Sequence, residues 1–406
     1  MGNVLAGPMV GQFLADMGAQ VIKVETRTRL DGTRRGRPIV GEDIAGGDKG
    51  QWPELQPLFH CLNRNKLGIT VNLKEPQGLA LLKELVAVSD VIVNNNSPGV
   101  MNRLGLGYDV LRSIKPDIIM ASMPGAGESG PLREVLAYAS ITSALSGLMG
   151  LIGYPPGPED DGEGTLAGQI QGAWCDVLAS LTTVVALLAA LRHRSVTGEG
   201  QYIEVAQLEA TVSQLGEAIM EFGMNGNVAG PQGTRHPLMS PHGNYPCLGQ
   251  DRWVSIAVET EGEWEAFCWA AGNPAWTSEP HFADAYSRSL HSGEMDRHIV
   301  KWTRERTPED VAEALQSVGV AAVPVMNIED QFVNSHFRER GVYVEAEHPK
   351  VGTEWLPGSP WQLSDTPGEV RRHAPLLGEH NHYVYQELLG YSDQECTALE
   401  EAGILT

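Results

Sequence analysis

LAGPMVGQFLADMGAQVIKVE, residues 5–25, decides the fold. Gly11 to Gly18 reads as a helix, and AQVIKVE (19–25) as the buried strand that follows it. The alternation then returns. GITVNL (68–73) reads as a strand, Pro76 to Val88 as a helix, and DVIVNN (90–95) as a strand ending in polar residues; DIIMASMPG (117–125) is the third such unit. Helices and strands in alternation are the signature of a parallel, helix-covered sheet, so the fold class is α/β. Ligands of such sheets bind at the carboxyl ends of the strands, which directs attention to Glu25, Asn94 to Asn96 and Ser122 to Gly127.

Beyond this region GYPPGPEDDGEG (153–164) reads as a loop. Asp176 opens an apolar helix that runs to about Arg192 and is ended by TGEG (197–200), after which QYIEVA (201–206) is another strand. Residues 223–250 are rich in Gly, Pro and His, as suits a linker or active-site loop. RWVSIAVET (252–260) begins a smaller α/β segment with helices near Gly262 to Ala271 and Thr307 to Val318, closed by AAVPVMN (321–327). The tail carries two helix-like stretches that can pack back on the first domain. A chain of 406 residues exceeds one hydrophobic core. The expected division is a large domain over 1–224, a small one over 225–325, and a return to the large domain over 326–406.

Lys and Arg total 29 against 51 Asp and Glu, a net charge of −22, which argues against a nucleic-acid or anionic-membrane binder. Five scattered cysteines without CxxC spacing argue against a disulfide framework or a zinc site and suit a reducing compartment. The longest apolar stretch, Val177 to Leu191, is too short to span a bilayer, and no basic-then-apolar leader opens the chain, so a cytoplasmic location is expected.

Two features carry chemistry. Asp176 stands before an apolar helix, where an N-cap role alone would account for it; a carboxylate held rigidly at a helix start can equally serve as a nucleophile. Arg27, Arg29, Arg34, Arg35 and Arg37 cluster after the strand ending at Glu25, with Arg64 and Lys66 downstream: either a solvated loop face or a seat for phosphates. No GxxxxGK[ST] pattern occurs, which disfavours ATP, and the absence of GxSxG disfavours a serine hydrolase. Neither His236 with His242 nor His373 with His380 and His382 has a metal-binding spacing, so no metal is expected.

Several stretches together resemble the family III CoA-transferases, the group that includes formyl-CoA transferase and crotonobetainyl-CoA:carnitine CoA-transferase, with α-methylacyl-CoA racemase as a relative. They are residues 5–25 above, LNRNKLGITVNLKEPQG (62–78), SPGVMNRLGLGYDVL (97–111), ALLAALRHRSVTGEGQYIEV (186–205) and APLLGEHN (374–381), in that order over nearly the whole chain. The resemblance implies a Rossmann-like large domain, a smaller α/β domain, and an interlocked dimer, either of like chains or of unlike ones as in the benzylsuccinate CoA-transferases. It implies CoA transfer from an acyl-CoA such as succinyl-CoA to a free carboxylic acid, with the CoA thioester as substrate and no resident cofactor. The family nucleophile lies about five helical turns before R-x-x-TG-x-G, and counting back from Arg194 reaches Asp176. Attack on the donor thioester would give a mixed anhydride and then an aspartyl-CoA thioester.

For CoA contacts the resemblance implies Arg34, Asn95, Asn96 and Arg103, with Tyr138 beside the pantetheine. The sequence departs from the family in NNNSPG, where Asn96 replaces an aromatic residue, and at Leu136, where formyl-CoA transferase has a lysine. The racemase branch needs a histidine near the place held by Tyr138 and Ala139, so a racemase or isomerase is the runner-up; a CoA-binding subunit of a heteromeric enzyme is the other alternative. Members carry a G-x-x-V-L-D strand ahead of the segment beginning at Gly2, so either the sheet lacks a strand or the true start lies upstream. The loop GPQGTRHPLMSPHGNYP (230–246) stands where formyl-CoA transferase has its shielding glycine run, and Arg235, His236 and His242 are expected to meet the acyl or acceptor carboxylate.

Overall fold

The computed structural model describes residues 1–38, 46–155, 165–166 and 173–405. The chain forms two compact units, one of Met1–Leu148, Gln169–Asn227 and His336–Thr406, the other of Met149–Gly168 and Val228–Ser335. Most of the loop expected at 153–164 lies outside the described residues.

In the larger unit α1 (Ala6–Asp16) leads into β1 (Ile22–Glu25), which pairs in parallel with β2 (Leu67–Thr70). The helix α2 (Pro76–Ala87) follows, with proline at its first position, where no intrahelical N–H bond is lost. Then come β3 (Val91–Asn94) and β4 (Ile119–Ser122), the long helix α3 (Trp174–Thr197) and β5 (Tyr202–Glu204). Strands β3, β4 and β5 form a second parallel sheet in that order. The short β5 is an outer strand of that sheet and follows closely on Gly198 and Gly200. A further helix, α4 (Gly216–Asn225), runs into the stretch expected to be loop.

The helix α3 has 24 residues, begins two residues before Asp176, and by length and composition alone is long and apolar enough to cross a membrane. Core packing accounts for one face of it: Ala179, Leu187 and Ala190 are buried in a cluster with Ala6, Val10, Ile119 and Ala121. Its end is written in the sequence. Gly198 takes the left-handed conformation that closes the helix, and a Cβ on Gly200 would lie 2.1 Å from the Ile118 carbonyl oxygen, so only glycine fits where the chain turns into β5. Arg194, one turn earlier, donates to the Asp90 carboxylate at 2.8 Å and to the Asp117 carbonyl at 3.4 Å. Asp90 immediately precedes β3, and Asp117 stands two residues before β4.

The smaller unit is built on the antiparallel sheet β6 (His242–Pro246), β7 (Trp253–Ala257) and β8 (Ala321–Pro324), with β7 central. Helices α5 (Glu261–Ala270), α6 (Ser292–Thr303) and α7 (Pro308–Gln316) surround a core that includes Val254, Ile256, Phe267, Phe282, Met295 and Leu315. Strand β6 falls inside the 223–250 stretch expected as linker or loop. HGNYP carries little strand propensity; pairing with β7 and inward placement of Gly243 and Tyr245 impose the extended form. After Ser335 the chain is again in the larger unit, adding the hairpin β9 (Tyr343–His348) and β10 (Gly352–Pro357) and the helix α8 (Asp393–Glu401).

Much of the basic cluster is internal. Arg34 is 1% exposed, stacks 3.5 Å over the Phe59 ring, and donates to Glu25, to Glu54 at 2.8 Å and to the Pro375 carbonyl at 2.7 Å. Arg64 pairs with Asp16 at 2.7 Å, and Lys66 donates to the carbonyls of Pro8 and Leu62 and to Asn63. Removing one partner from a buried ion pair leaves an uncompensated charge. Arg34→Ala is therefore expected to lower stability by about 3–5 kcal/mol, with Arg34→Lys a poor rescue because an ammonium cannot reproduce the forked contacts. Urea denaturation checks this, and an unchanged midpoint would show that the network does not hold the loop after β1.

Candidate active site

Asp176 is the third residue of α3, inside the first turn, and the cap position belongs to Ala173, which adopts a left-handed conformation and offers no capping side chain. The carboxylate is thus free of the N-cap role that its sequence position suggested. It is 8% exposed, and the backbone N–H of Ala6, the first residue of α1, hydrogen-bonds to it. Two helix N-termini therefore meet at one carboxylate, and their partial positive charge favours its ionised form. Burial outweighs that help and raises its pKa to about 6, from 3.8.

Ser180, one turn along α3, ties the arrangement together by donating to the backbone oxygens of both Ala6, at 3.0 Å, and Asp176. Cys175 is buried with its sulfur 3.0 Å from Ser143 Oγ. The segment leading into α1 is held from three sides. Asn95 accepts from the Asn3 N–H and donates to the Asn3 carbonyl, both at 2.8 Å; Asp31 accepts from the Val4 N–H at 3.1 Å; Lys23 donates to the Gly2 carbonyl at 2.9 Å and pairs with Asp31. Val4 sits at φ 63°, a conformation that a β-branched residue adopts only when its surroundings enforce it. A Cβ on Gly7 would lie 2.6 Å from the Gly2 Cα, so this close turn requires glycine.

Arg34, expected on a CoA phosphate, is placed instead in the buried network described above, and the Asn95 amide is occupied by Asn3. Asn96 is half-buried, with its amide nitrogen 3.5 Å from both Asn94 Oδ1 and the Met101 sulfur. Arg103 is exposed beyond the carboxyl end of β3 and folds over Gly99. Tyr138 is 79% exposed at the start of the short helix Ala139–Leu145. In the smaller unit Arg235 lies 3.4 Å from Asp296, His242 contacts the Thr234 carbonyl at 2.6 Å, and the rings of His236 and His242 are 5.3 Å apart.

The carboxyl edge of β3, β4 and β5 also holds residues that the sequence reading passed over. Glu128 accepts from Ser122 at 3.0 Å and from the Gly99 N–H at 3.3 Å, while its own N–H donates to Glu204 at 2.7 Å. The GxGES motif directly after a strand end was the available signal. Lys74, exposed just beyond β2, is a further cation at a strand's carboxyl end. A cavity of 520 Å³ lies near the opposite ends of β1 and β2, lined by Gln20, Val21, Leu67 and His380 among others, and Asp176 is not among its lining residues.

A family model described as CoA-transferase family III matches residues 1–381. The chain belongs to CoA-transferase family III. It is 32% identical over 406 residues to the succinyl-CoA–L-malate CoA-transferase beta subunit of Chloroflexus aurantiacus, covering 99% of this chain and 95% of that one. It is 33% identical over 390 residues to the succinate–glutarate CoA-transferase of Agrobacterium fabrum, with 96% and 93% covered. Among solved structures a CAIB/BAIF family protein from Brucella suis superposes with a TM-score of 0.83 at 27% identity, over 96% of this chain and 97% of that one. The α/β fold with parallel sheets is that of the family, and CoA thioesters are its substrates.

Because the folded protein holds the Asp176 proton more tightly than the unfolded chain does, this group's contribution to stability is greatest below its unfolded pKa. It is lost as pH rises through about 6. Asp176→Asn removes the desolvated charge. At about pH 8 the variant is expected to be more stable than the parent by ~1–3 kcal/mol, the difference shrinking towards pH 4. Thermal unfolding of both proteins across that range measures it.

Proposed function

We propose that this CoA-transferase moves CoA from succinyl-CoA to a free carboxylic acid by covalent catalysis at Asp176. The observation that carries the reading is the desolvated carboxylate at the meeting of two helix N-termini. A pKa near 6 leaves about nine-tenths of it ionised at neutral pH, while making it more basic than an ordinary aspartate. A succinyl donor is supported by the relatives, a succinyl-CoA–L-malate and a succinate–glutarate CoA-transferase. Malate and glutarate, named in those activities, are the first acceptors to test.

An Asp176 oxygen attacks the thioester carbonyl carbon, the C–S bond breaks, and CoA leaves as thiolate from a succinyl–aspartyl anhydride. The thiolate then attacks the aspartyl carbonyl carbon and expels succinate, leaving an aspartyl-CoA thioester. The acceptor carboxylate attacks that same carbon, releasing the thiolate, which finally attacks the acceptor acyl carbon and returns Asp176 as a carboxylate. Each step exchanges one acyl bond for another, so no net proton or electron is required. Backbone N–H groups at the starts of α1 and α3 suit the oxyanion that develops at the aspartyl carbonyl. The CoA phosphates belong with exposed cations beyond the parallel strands: Arg27 and Arg29 after β1, Lys74 after β2 and Arg103 after β3. A role for Arg235, His236 and His242 on the acceptor carboxylate is part of the same proposal, tested by the acceptor KM of Arg235→Ala.

A second copy of this chain is the partner we place on the larger unit. Leu181, Val185 and Leu188 form one exposed stripe on α3, and Ile219, Met220, Phe222 and Met224 are exposed on α4. Apolar surface of this extent marks an association face. The five cysteines are all free, which supports a reducing, cytoplasmic location.

The purified chain is expected to exchange CoA between succinyl-CoA and an acid from such a panel, with activity abolished in Asp176→Ala. In single turnover, hydroxylamine is expected to label the peptide containing Asp176; a label on another peptide would sink the assignment. Below about pH 6 kcat/KM is expected to fall tenfold per pH unit as Asp176 takes up its proton. Light scattering is expected to give a dimer that Val185→Asp weakens; a monomer, or activity only after an unlike chain is added, would overturn the like-chain pairing.

A further inference from the structure

We infer that Glu279, His281 and Glu294 bind a divalent transition-metal ion of the zinc type in the smaller unit. His281 Nε2 lies 3.4 Å from Glu279 Oε2 and 3.5 Å from Glu294 Oε2, and the donor atoms of all three residues fall within 4.8 Å of one another. That nitrogen is sealed from solvent yet makes no hydrogen bond. Elsewhere in this protein the histidine–carboxylate pairs His60 with Glu354, at 2.7 Å, and His373 with Glu379, at 3.1 Å, do hydrogen-bond. The spacings of 3.4 and 3.5 Å in the Glu279 cluster fit ligands around a common centre. Four-coordinate zinc with bonds of about 2.1 Å has ligand–ligand edges of about 3.4 Å.

The local fold holds these donors in place. His281 sits in the turn Pro280–Phe282, and its neighbour Phe282 is fully buried; Glu294 lies in the first turn of α6 beside the fully buried Met295. Phe282 and Met295 share the core of the unit, so the backbone at both ligands is anchored by packing. One imidazole and two carboxylates, without thiolate, suit zinc and similar borderline ions; the imidazole disfavours magnesium and calcium, which take oxygen ligands. The ligands are only half-buried, which leaves the fourth position to water. A metal there would clip the turn before Ala283 to the start of α6, closing the segment that contains the short helix Ala285–Leu290. The chain's charge of −22 raises the local concentration of cations around it.

Zn²⁺ alone, titrated calorimetrically into chelator-stripped full-length protein, is expected to show one saturable site per chain, whereas Mg²⁺ gives none. The site is expected to be lost in His281→Ala, weakened at least tenfold in Glu294→Gln, and retained in His382→Ala. His281→Arg keeps a cation between the two carboxylates, so it is expected to hold the metal-free thermal midpoint while losing the upward shift that Zn²⁺ gives the parent. It also separates metal binding from simple ion pairing if His281→Ala fails to fold. No saturable Zn²⁺ binding in the parent, or the same isotherm in His281→Arg and Glu294→Gln, would overturn the site.

Discussion

The grip of Arg194 on Asp90 and Asp117 sets the position of α3 against the parallel strands of the larger unit. These aspartates stand just before β3 and β4, so the carboxy-terminal turn of α3 is fixed at the amino ends of the strands. A helix is a stiff ruler with a rise of 1.5 Å per residue, and the separation between Arg194 and Asp176 spans ~27 Å. Asp176 is thereby carried to the carboxyl side of the sheet, where α1 begins and where ligands of parallel sheets bind. Gly198 and Gly200 make the ruler's end abrupt, since a Cβ at residue 200 would strike the Ile118 carbonyl. The R-x-x-TG-x-G motif is thus a positioning device for an aspartate five turns away, which gives a physical reason for the fixed spacing between the two.

The second constraint is charge. An acidic protein that handles an anionic substrate must keep some cations for the ligand, yet Lys23, Arg34, Arg64 and Lys66 are all buried in the larger unit. Buried ion pairs add little net stability over apolar packing, but they are exacting about geometry. Here they fix backbone that would otherwise be loose. Lys23 and Asp31 hold the chain at Gly2 and Val4, and Arg34 holds the loop after β1. The consequence reaches Asp176, because the Ala6 N–H that faces it belongs to the segment that Asn95, Asp31 and Lys23 constrain.

Local patterns were legible in the sequence and long-range partnerships were not. The parallel strands, the α2 helix and the glycine-terminated end of α3 follow from periodicity and turn chemistry. The fate of each arginine does not, because Arg34 finds the carbonyl of Pro375 and Asn65 accepts from the backbone of Arg371 and Arg372, contacts separated by some 300 residues. A cluster of cations in sequence looks the same whether it faces a phosphate or a buried carboxylate. Strand β6 was hidden because Gly, Asn and Pro obscure its alternation, and α6 was missed although Met295, Ile299 and Thr303 recur at helical spacing on its buried face. Asp176 reads as an N-cap because the helix start two residues earlier is set by tertiary contacts and has no capping residue to announce it.

The same long-range dependence governs how residues 375–385 pack against β2. Strand β2 has β1 on one side only, and an uncovered strand edge offers unpaired backbone groups to any passing strand. The tail satisfies them without adding a strand: the His380 N–H donates to the Gly68 carbonyl, Asn381 accepts from the Thr70 N–H, and Tyr385 donates to the Thr70 carbonyl. Close approach demands a residue without a side chain, and a Cβ on Gly68 would lie 2.8 Å from Pro375. Pro375 in turn supplies the carbonyl that Arg34 needs. One segment therefore closes the sheet edge and completes the ion-pair network of the loop after β1, so the stability of that edge and the order of the loop must rise and fall together.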